Sequence, residues 1–433
     1  MSRATPAWIL GFAFVVFLVY AYPGYVSIDS IQQLEESRAH AFGDWHPPSL
    51  AALWAVVELV VAGPVGMLLL QGSLLLGGSF VLLRRRFDDR IAALAAGALL
   101  LFPPVLAPMG VIWKDSMMAG MLATGLALFT CEDRKRRIGG FALLVFAITL
   151  RANAPLAVLP LFVLLGVRNV AWPRWRRYAA GLGLWVGATV ASIALTGALT
   201  QKHQHAWSCS LGPYDITGII RYSHEHYTDD ELRKILDGTP LVAKLPVEEQ
   251  ARKAYSPRMW WPVANGDNRV FNWPENQAHR DAIARSWKTL VLGYPAGYLR
   301  HRWRVFRETI GLTSGPTFDP AWQEHLASPP LHLDASSGLL QRTLAKAVAW
   351  LGKTPLFRPF IYLALALVVL VVAIVRRRHD VLPIVLSGIA YELTLFPFAP
   401  SADYRYSHWM ITSAVLAAVL LFVRAKRDAA SGA

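Results

Sequence analysis

The chain has 433 residues, is 54% hydrophobic and carries a formal net charge of +14. A soluble protein of this length would divide into about two or three cores, but here apolar runs recur that approach the ~20 residues needed to cross a bilayer. This makes the chain an all-α polytopic membrane protein. The basic excess is not a nucleic-acid signature: Arg84–Arg86, Arg134–Arg137, Arg174 with Arg176 and Arg177, Arg376–Arg378, and Arg424 with Lys426 and Arg427 each follow an apolar run, as the positive-inside rule requires.

In chain order, a first span is expected at 7–22. It could instead be a cleaved signal peptide, although no convincing small-residue cleavage site follows it. The loop 23–64 comes next. Within it Ser27–Arg38 has Ile28, Ile31 and Leu34 at helical spacing and reads as a short amphipathic surface helix. Asp44-Trp45-His46-Pro47-Pro48 then leads Ser49–Ala62, a run of about 14 residues, short for a span. Pro47-Pro48 suits a first helical turn, so this run reads as an interfacial helix. Further spans are expected at 65–83, 91–109, 116–130, 138–151, 155–167, 178–197, 357–375, 382–397 and 410–423, about ten in all. With the N-terminus inside, the cytoplasmic segments hold about 19 Lys/Arg against about 6 Asp/Glu. Residues 198–355 are too polar to span and too long for an ordinary loop, so they form an extracytoplasmic domain between a 1–197 module and C-terminal helices at 356–433. Cys131 and Cys209 fall on opposite faces, which excludes a disulfide between them.

The candidate chemistry lies at the outer ends of spans. Asp29 near a helix N-terminus is either a helix-stabilising carboxylate or a catalyst. Lys114 and Asp115 open the fourth span; a helix cap is the plain reading, and phosphate binding by the lysine the functional one. Arg151 sits in an outer turn, against the charge bias, for phosphate or for lipid headgroups. Asp403, Tyr404 and Arg405, with Tyr406, precede the last span, and Glu392 lies about one or two helical turns before them. With His46, these residues share one face. Few ionisable residues lie mid-span, where a transporter would place them.

In the large loop, Leu299, Trp303, Phe306 and Ile310 beside Arg300, Arg304 and Arg307 read as an interfacial helix. Trp260, Trp261, Trp273 and Trp287 are either a core or a sugar-stacking surface. His203, His205, His224 and His226 alternate as in a strand but lack the third-ligand spacing of a metal site.

The order of these features resembles the GT-C superfamily of membrane glycosyltransferases, which includes protein mannosyltransferases and the aminoarabinose lipid A transferase. The resembling residues are Asp29 in the first outer loop, His46-Pro47-Pro48 before an interfacial helix, Asp115 opening the fourth span, Arg151 before the sixth, and Tyr404-Arg405-Tyr406 before the last. The aminoarabinose transferases have Lys-Pro-Pro where this chain has His46-Pro47-Pro48, and a neutral histidine is a weaker phosphate ligand than lysine.

The resemblance implies transfer of a sugar from a polyprenyl-phosphate donor to a glycolipid, glycan or protein acceptor, at the outer face of a bacterial cytoplasmic (inner) membrane. It further implies Asp29 and Asp115 as the catalytic acids, a divalent metal as a possible cofactor, and His46, Lys114, Arg151 and Arg405 as phosphate ligands; Glu392, Asp403 and Tyr404 are further candidates. Membrane lipids are expected partners and nucleic acid is not. A lipid or glycan transporter and a non-catalytic envelope scaffold are the alternatives.

Overall fold

A computed structural model describes residues 4–165, 171–223, 226–315, 320–324, 333 and 337–423. Arg424, Lys426, Arg427 and His224 lie outside the described residues. The described chain is helical and holds no strand, only isolated backbone bridges. In order the helices are α1 Ala4–Ala21, α2 Ile28–Ala39, α3 Pro48–Glu58, α4 Val65–Leu83, α5 Asp89–Leu101, α6 Pro103–Met109, α7 Lys114–Phe129, α8 Arg134–Thr149, α9 Ala154–Leu165, α10 Arg174–Leu199, α11 Gly212–Ile220, α12 Asp229–Ile235, α13 Val247–Ala254, α14 Gln277–Gly293, α15 Pro295–Thr309, α16 Leu339–Gly352, α17 Pro359–Val375, α18 Leu382–Phe398 and α19 His408–Phe422.

The chain forms two compact units. One holds Met1–Lys202, Asp319–Leu393 and Arg405–Ala433; the other holds His203–Phe318 and Thr394–Tyr404. In the first, α4, α7 and α8 pack side by side. Gly78 of α4 lies against the Ala123–Thr124 backbone of α7, and Gly140 of α8 against the backbone of Phe129, where a Cβ would collide. Small residues at a helix crossing allow this approach.

Among the described residues, three helical stretches can cross a membrane by length and composition: Val65–Leu83, Arg174–Leu199 and Tyr404–Phe422. A fourth is possible if α5 and α6 form one span. Thr5–Ala21, Ala154–Leu165, Pro359–Val375 and Leu382–Phe398 are apolar but shorter. The expected span 91–109 is not straight: α5 and α6 meet at 66°. Phe102, before Pro103-Pro104, adopts an extended backbone with ψ 119°, because a proline disfavours the helical conformation of the residue before it. The expected interfacial helix after Pro47 is α3.

The sequence reading closed the outer domain at 355, whereas the second unit's first segment ends at Phe318. Residues after it return to the first unit. The Glu324 carbonyl accepts from the Val26 N–H at 3.1 Å, Trp322 Nε1 donates to the Val26 carbonyl at 3.1 Å, and Gln341 Nε2 donates to that of Tyr22 at 2.5 Å.

The second unit is organised by Asp215 on α11. Its Oδ2 accepts from Trp287 Nε1 at 2.8 Å, its Oδ1 lies 3.1 Å from His301 Nε2, and Arg302 completes an ion pair. Asp215, His301 and Arg302 are all buried, so α15 turns a charged face inward. Phe306 and Ile310 of the expected apolar stripe are buried with them, while Leu299 and Trp303 are exposed. The stripe is therefore split, because ion pairing to Asp215 rotates the helix away from the purely apolar alignment. No strand carries His203 and His205: His205 has φ 54°.

Candidate active site

The loop that follows α1 is stapled to the segment leading into α7. The Tyr25 N–H donates to the Gly110 carbonyl at 2.9 Å, and the Ile112 N–H to the Tyr25 carbonyl at 3.0 Å. From below, Gln71 Nε2 of α4 donates to the carbonyls of Met109 and Val111 at 2.6 and 2.9 Å. Ser30 Oγ donates to the Ile112 carbonyl at 2.8 Å, and Trp113 Nε1 donates to Ser27 Oγ at 2.8 Å. Ser27 is also the N-cap of α2, in a reciprocal capping box with Ser30. A box of this kind satisfies two otherwise orphaned backbone donors. The cap position thus belongs to Ser27, which leaves the Asp29 carboxylate for something else.

Asp29 Oδ2 accepts from Arg405 Nη2 at 2.7 Å. The Arg405 guanidinium lies over the Trp113 ring at 4.5 Å and beside Tyr406 at 5.6 Å. A second pair joins Asp115 to Arg151, and Arg151 stacks over the other available ring, Tyr406, at 4.3 Å. Two carboxylate–guanidinium pairs thus share the Tyr406 ring. Asp115 caps nothing in α7, and Arg151 is engaged by protein rather than reaching for lipid. The short helix Tyr404–Ser407 delivers Arg405 to this place.

Lys114 stands between the pairs. The charges acting on it are Arg151, Asp29, Arg405 and Asp115, yet it makes no ion pair of its own among the described residues. Three cations thus face two carboxylates. Burial alone would raise the Asp29 pKa, but the neighbouring positive charges, Arg405 first, outweigh it and hold this carboxyl well below the usual range. Its side chain keeps 29% exposure, against 1% for Asp115.

His46 is buried, with Nε2 2.8 Å from Gln32 Oε1. Burial, and then the Lys114 charge, push its pKa down to about 3. A neutral His46 offers an anion one N–H at most and no charge. Glu392 is fully buried; its Oε1 accepts from Ser407 Oγ at 2.8 Å, while Oε2 has no partner among the described residues. Ser407 ends the turn that carries Arg405, so Glu392 helps hold that turn. Asp403 and Tyr404 are buried and belong to the second unit's Thr394–Tyr404 segment.

Sequence reasoning missed three neighbours. Trp113 and Tyr406 together supply the aromatic faces for both arginines. His408 is fully buried with neither ring nitrogen partnered among the described residues, and it feels the Asp115 charge. It follows the Tyr-Arg-Tyr turn by two residues, a signal too weak to single out. Asp115 Oδ2 likewise has no partner among the described residues. Hydrogen-bonding capacity therefore remains open around the second acid.

No three His, Cys, Asp or Glu side chains among the described residues converge as a metal site would require. Each of the two acids faces an arginine instead.

No family model and no curated protein matches the chain. Among solved structures, it is similar to ArnT from Cupriavidus metallidurans in the apo state (17% identity, 97% of this chain and 78% of that one, TM-score 0.35). The same protein bound to undecaprenyl phosphate is similar at 16% identity, over 96% and 78% of the two chains, with a TM-score of 0.36. An Archaeoglobus fulgidus oligosaccharyltransferase is similar at 11% identity and a TM-score of 0.42, over 96% of this chain and 49% of that one. At these identities and TM-scores the likeness assigns no residue a role.

Proposed function

We propose that this chain is a membrane glycosyltransferase that moves a sugar from a polyprenyl-phosphate donor to an envelope acceptor at the outer face of a bacterial cytoplasmic membrane. The observation that carries this reading is the charge arrangement. Lys114, Arg151 and Arg405 converge on Asp29 and Asp115, and Lys114 makes no ion pair of its own among the described residues, which adds positive charge to the two pairs. An anionic ligand such as a phosphate matches that surplus. The scaffold alternative expects these residues to be scattered, but Asp29 lies 2.7 Å from Arg405.

The reaction is an inverting displacement. The acceptor oxygen forms a bond to the anomeric carbon as the bond from that carbon to the phosphate oxygen breaks; the electron pair leaves with the phosphate, and the acceptor's proton passes to the released phosphate, whose second ionisation lies at about 6. Lys114, Arg151 and Arg405 meet the charge that develops there, and donors fixed before the reaction are the efficient way to do so. Asp115 holds Arg151 against Tyr406. Asp29 is ionised and partly exposed, so its carboxylate accepts a hydrogen bond from the acceptor hydroxyl and orients it. Paired with Arg405 it is a weak base, and orientation is its main contribution.

The test is a deletion strain complemented with the wild-type chain or with Asp29→Asn, its envelope glycolipids and glycoproteins compared by mass spectrometry. The expected result is one sugar modification that the wild type restores and Asp29→Asn does not, at equal membrane expression. Restoration by Asp29→Asn would remove Asp29 from the reaction. An unaltered envelope in the deletion strain would remove the transferase reading.

A further inference from the structure

The second unit holds an aromatic surface that the proposed reaction does not use. It is built on a loop closed by its own backbone: the N–H groups of Val270 and Phe271 both donate to the Val263 carbonyl, at 2.9 and 3.2 Å. The loop turns through Gly266 at φ 83°, a left-handed conformation that glycine adopts without strain. Val263, Val270 and Phe271 are fully buried beneath it. Its second leg is pinned where Val242 N–H donates to the Val270 carbonyl and Asn272 N–H to that of Pro240, both at 2.9 Å. Its first leg is pinned where Trp260 N–H donates to the Pro400 carbonyl at 3.1 Å.

The two legs bring Trp260, Trp261 and Trp273 together. Their ring centroids lie 5.4, 5.9 and 6.3 Å apart, at interplanar angles of 71–73°. An edge-to-face contact covers only one face of one ring and leaves the opposite face open, and Trp261 and Trp273 stay 53% and 39% exposed. Asn265 locks the pair, its Nδ2 donating to the Trp261 carbonyl at 3.0 Å and its Oδ1 accepting from Trp273 Nε1 at 3.3 Å. The exposed flanks are Asp267 and Asn272. Arg269, the cation within the loop, is engaged by Asn272 Oδ1 at 2.9 Å and the Gly266 carbonyl at 3.1 Å.

We infer that this loop is a saccharide-binding platform for neutral, β-linked, gluco-configured oligosaccharides. Such pyranoses present axial C–H groups on both faces, which suit an indole face, while their equatorial hydroxyls reach amide and carboxylate side chains. A surface built for anionic lipid would instead present free lysines and arginines, and here the rim is an acid and an amide, with its arginine already engaged. The inference stands on the second unit alone and does not depend on the transferase reading.

The experiment uses the full chain in lipid nanodiscs, with cellotetraose and chitotetraose as probes, by saturation-transfer NMR and isothermal titration. Saturable binding is expected, weakened about tenfold by Trp261→Ala or Trp273→Ala, partly kept by Trp261→Phe, and unchanged by Trp350→Ala on α16. Asp267→Ala, at an exposed position outside the packed rings, should weaken binding without changing the thermal unfolding midpoint; this arm keeps the test decisive if a tryptophan variant misfolds. Failure of both saccharides to bind, or binding indifferent to Trp261 and Asp267, overturns the inference. A parallel measurement in nanodiscs of brominated lipid decides the membrane alternative: fluorescence quenching that falls in Trp261→Ala would place the ring in lipid and overturn the inference as well.

Discussion

The Asp215–Arg302 pair in the second unit and the Asp29–Arg405 pair in the first are made of the same two side chains, yet they are set up for different ends. Asp215 is closed: Trp287, His301 and Arg302 occupy both of its oxygens, and the pair is buried with 2% and 0% side-chain exposure. Asp29 keeps 29%. It sits beside a second pair whose Asp115 has an oxygen without a partner among the described residues, and beside a lysine with no carboxylate of its own. A carboxylate with both oxygens engaged has little left to offer a ligand; one with open valence and surplus charge nearby can receive one.

The largest expected effect breaks the closed pair. Asp215→Asn leaves Arg302 buried without its counter-charge, at a cost of about 3–5 kcal/mol. Chemical unfolding of the purified chain should show this loss, with activity falling only as far as the folded fraction does. If stability held while activity vanished, Asp215 would belong with the reactive acids.

Next comes Arg405→Lys. It keeps the charge but loses the planar fork and the stack on Trp113. Transfer should fall about 100-fold with little change in unfolding midpoint. An equal fall for a variant of Arg233, whose pair with Asp229 is exposed, would show that the assay reports folding rather than chemistry.

The third prediction concerns pH. His46 has its pKa lowered from 6.5 to about 3 in the fold. A depressed histidine favours the folded state while it is neutral, so its contribution is full above the unfolded value of 6.5 and is lost as pH falls toward 3. In that window the unfolded chain binds the extra proton, and stability rises with pH. His46→Gln should flatten the midpoint-versus-pH curve and recover about 2 kcal/mol between about pH 6.5 and 5. An unchanged slope would mean that His46 already carries a proton. Asp29 behaves differently: its lowered pKa keeps it ionised well below the ordinary carboxylate value of 3.8. Its stabilising contribution is therefore fully present above that value and is lost only in strong acid, so an acid limb in a pH–rate profile near pH 5 would not come from Asp29.

The smallest effect belongs to Ser27→Ala, which removes the α2 cap and the acceptor for Trp113 Nε1. About 1 kcal/mol of stability should go. A shift in the apparent KM for donor beyond that would show that the cap also aligns Asp29.

Much of this was legible from local pattern. The run 65–83 is α4 without adjustment, and the other apolar runs begin and end within a few residues of their helices, because hydropathy and length are properties of a segment by itself. The prolines at 47–48 announced α3. The pair at 103–104 carried the bend between α5 and α6 just as plainly, but a continuous apolar run concealed it. Residue 29 looked equally like a cap or a catalyst, and choosing between them needed Ser27 seen in the cap position. Asp215 lies in an apolar stretch, Gly212–Ile220, where a lone acid was a usable signal that went unread.

The sequence by itself determined the helical, membrane-suited character of the chain and the position of its charged residues at helix ends, since burying backbone in lipid leaves few other solutions. Tertiary structure alone decided which acid meets which base. Asp29 pairs with an arginine from the far end of the chain rather than with its neighbour Lys114, and α15 turns His301 and Arg302 inward rather than its apolar stripe outward. Such pairings depend on where helices far apart in sequence come to rest, and no local periodicity encodes that.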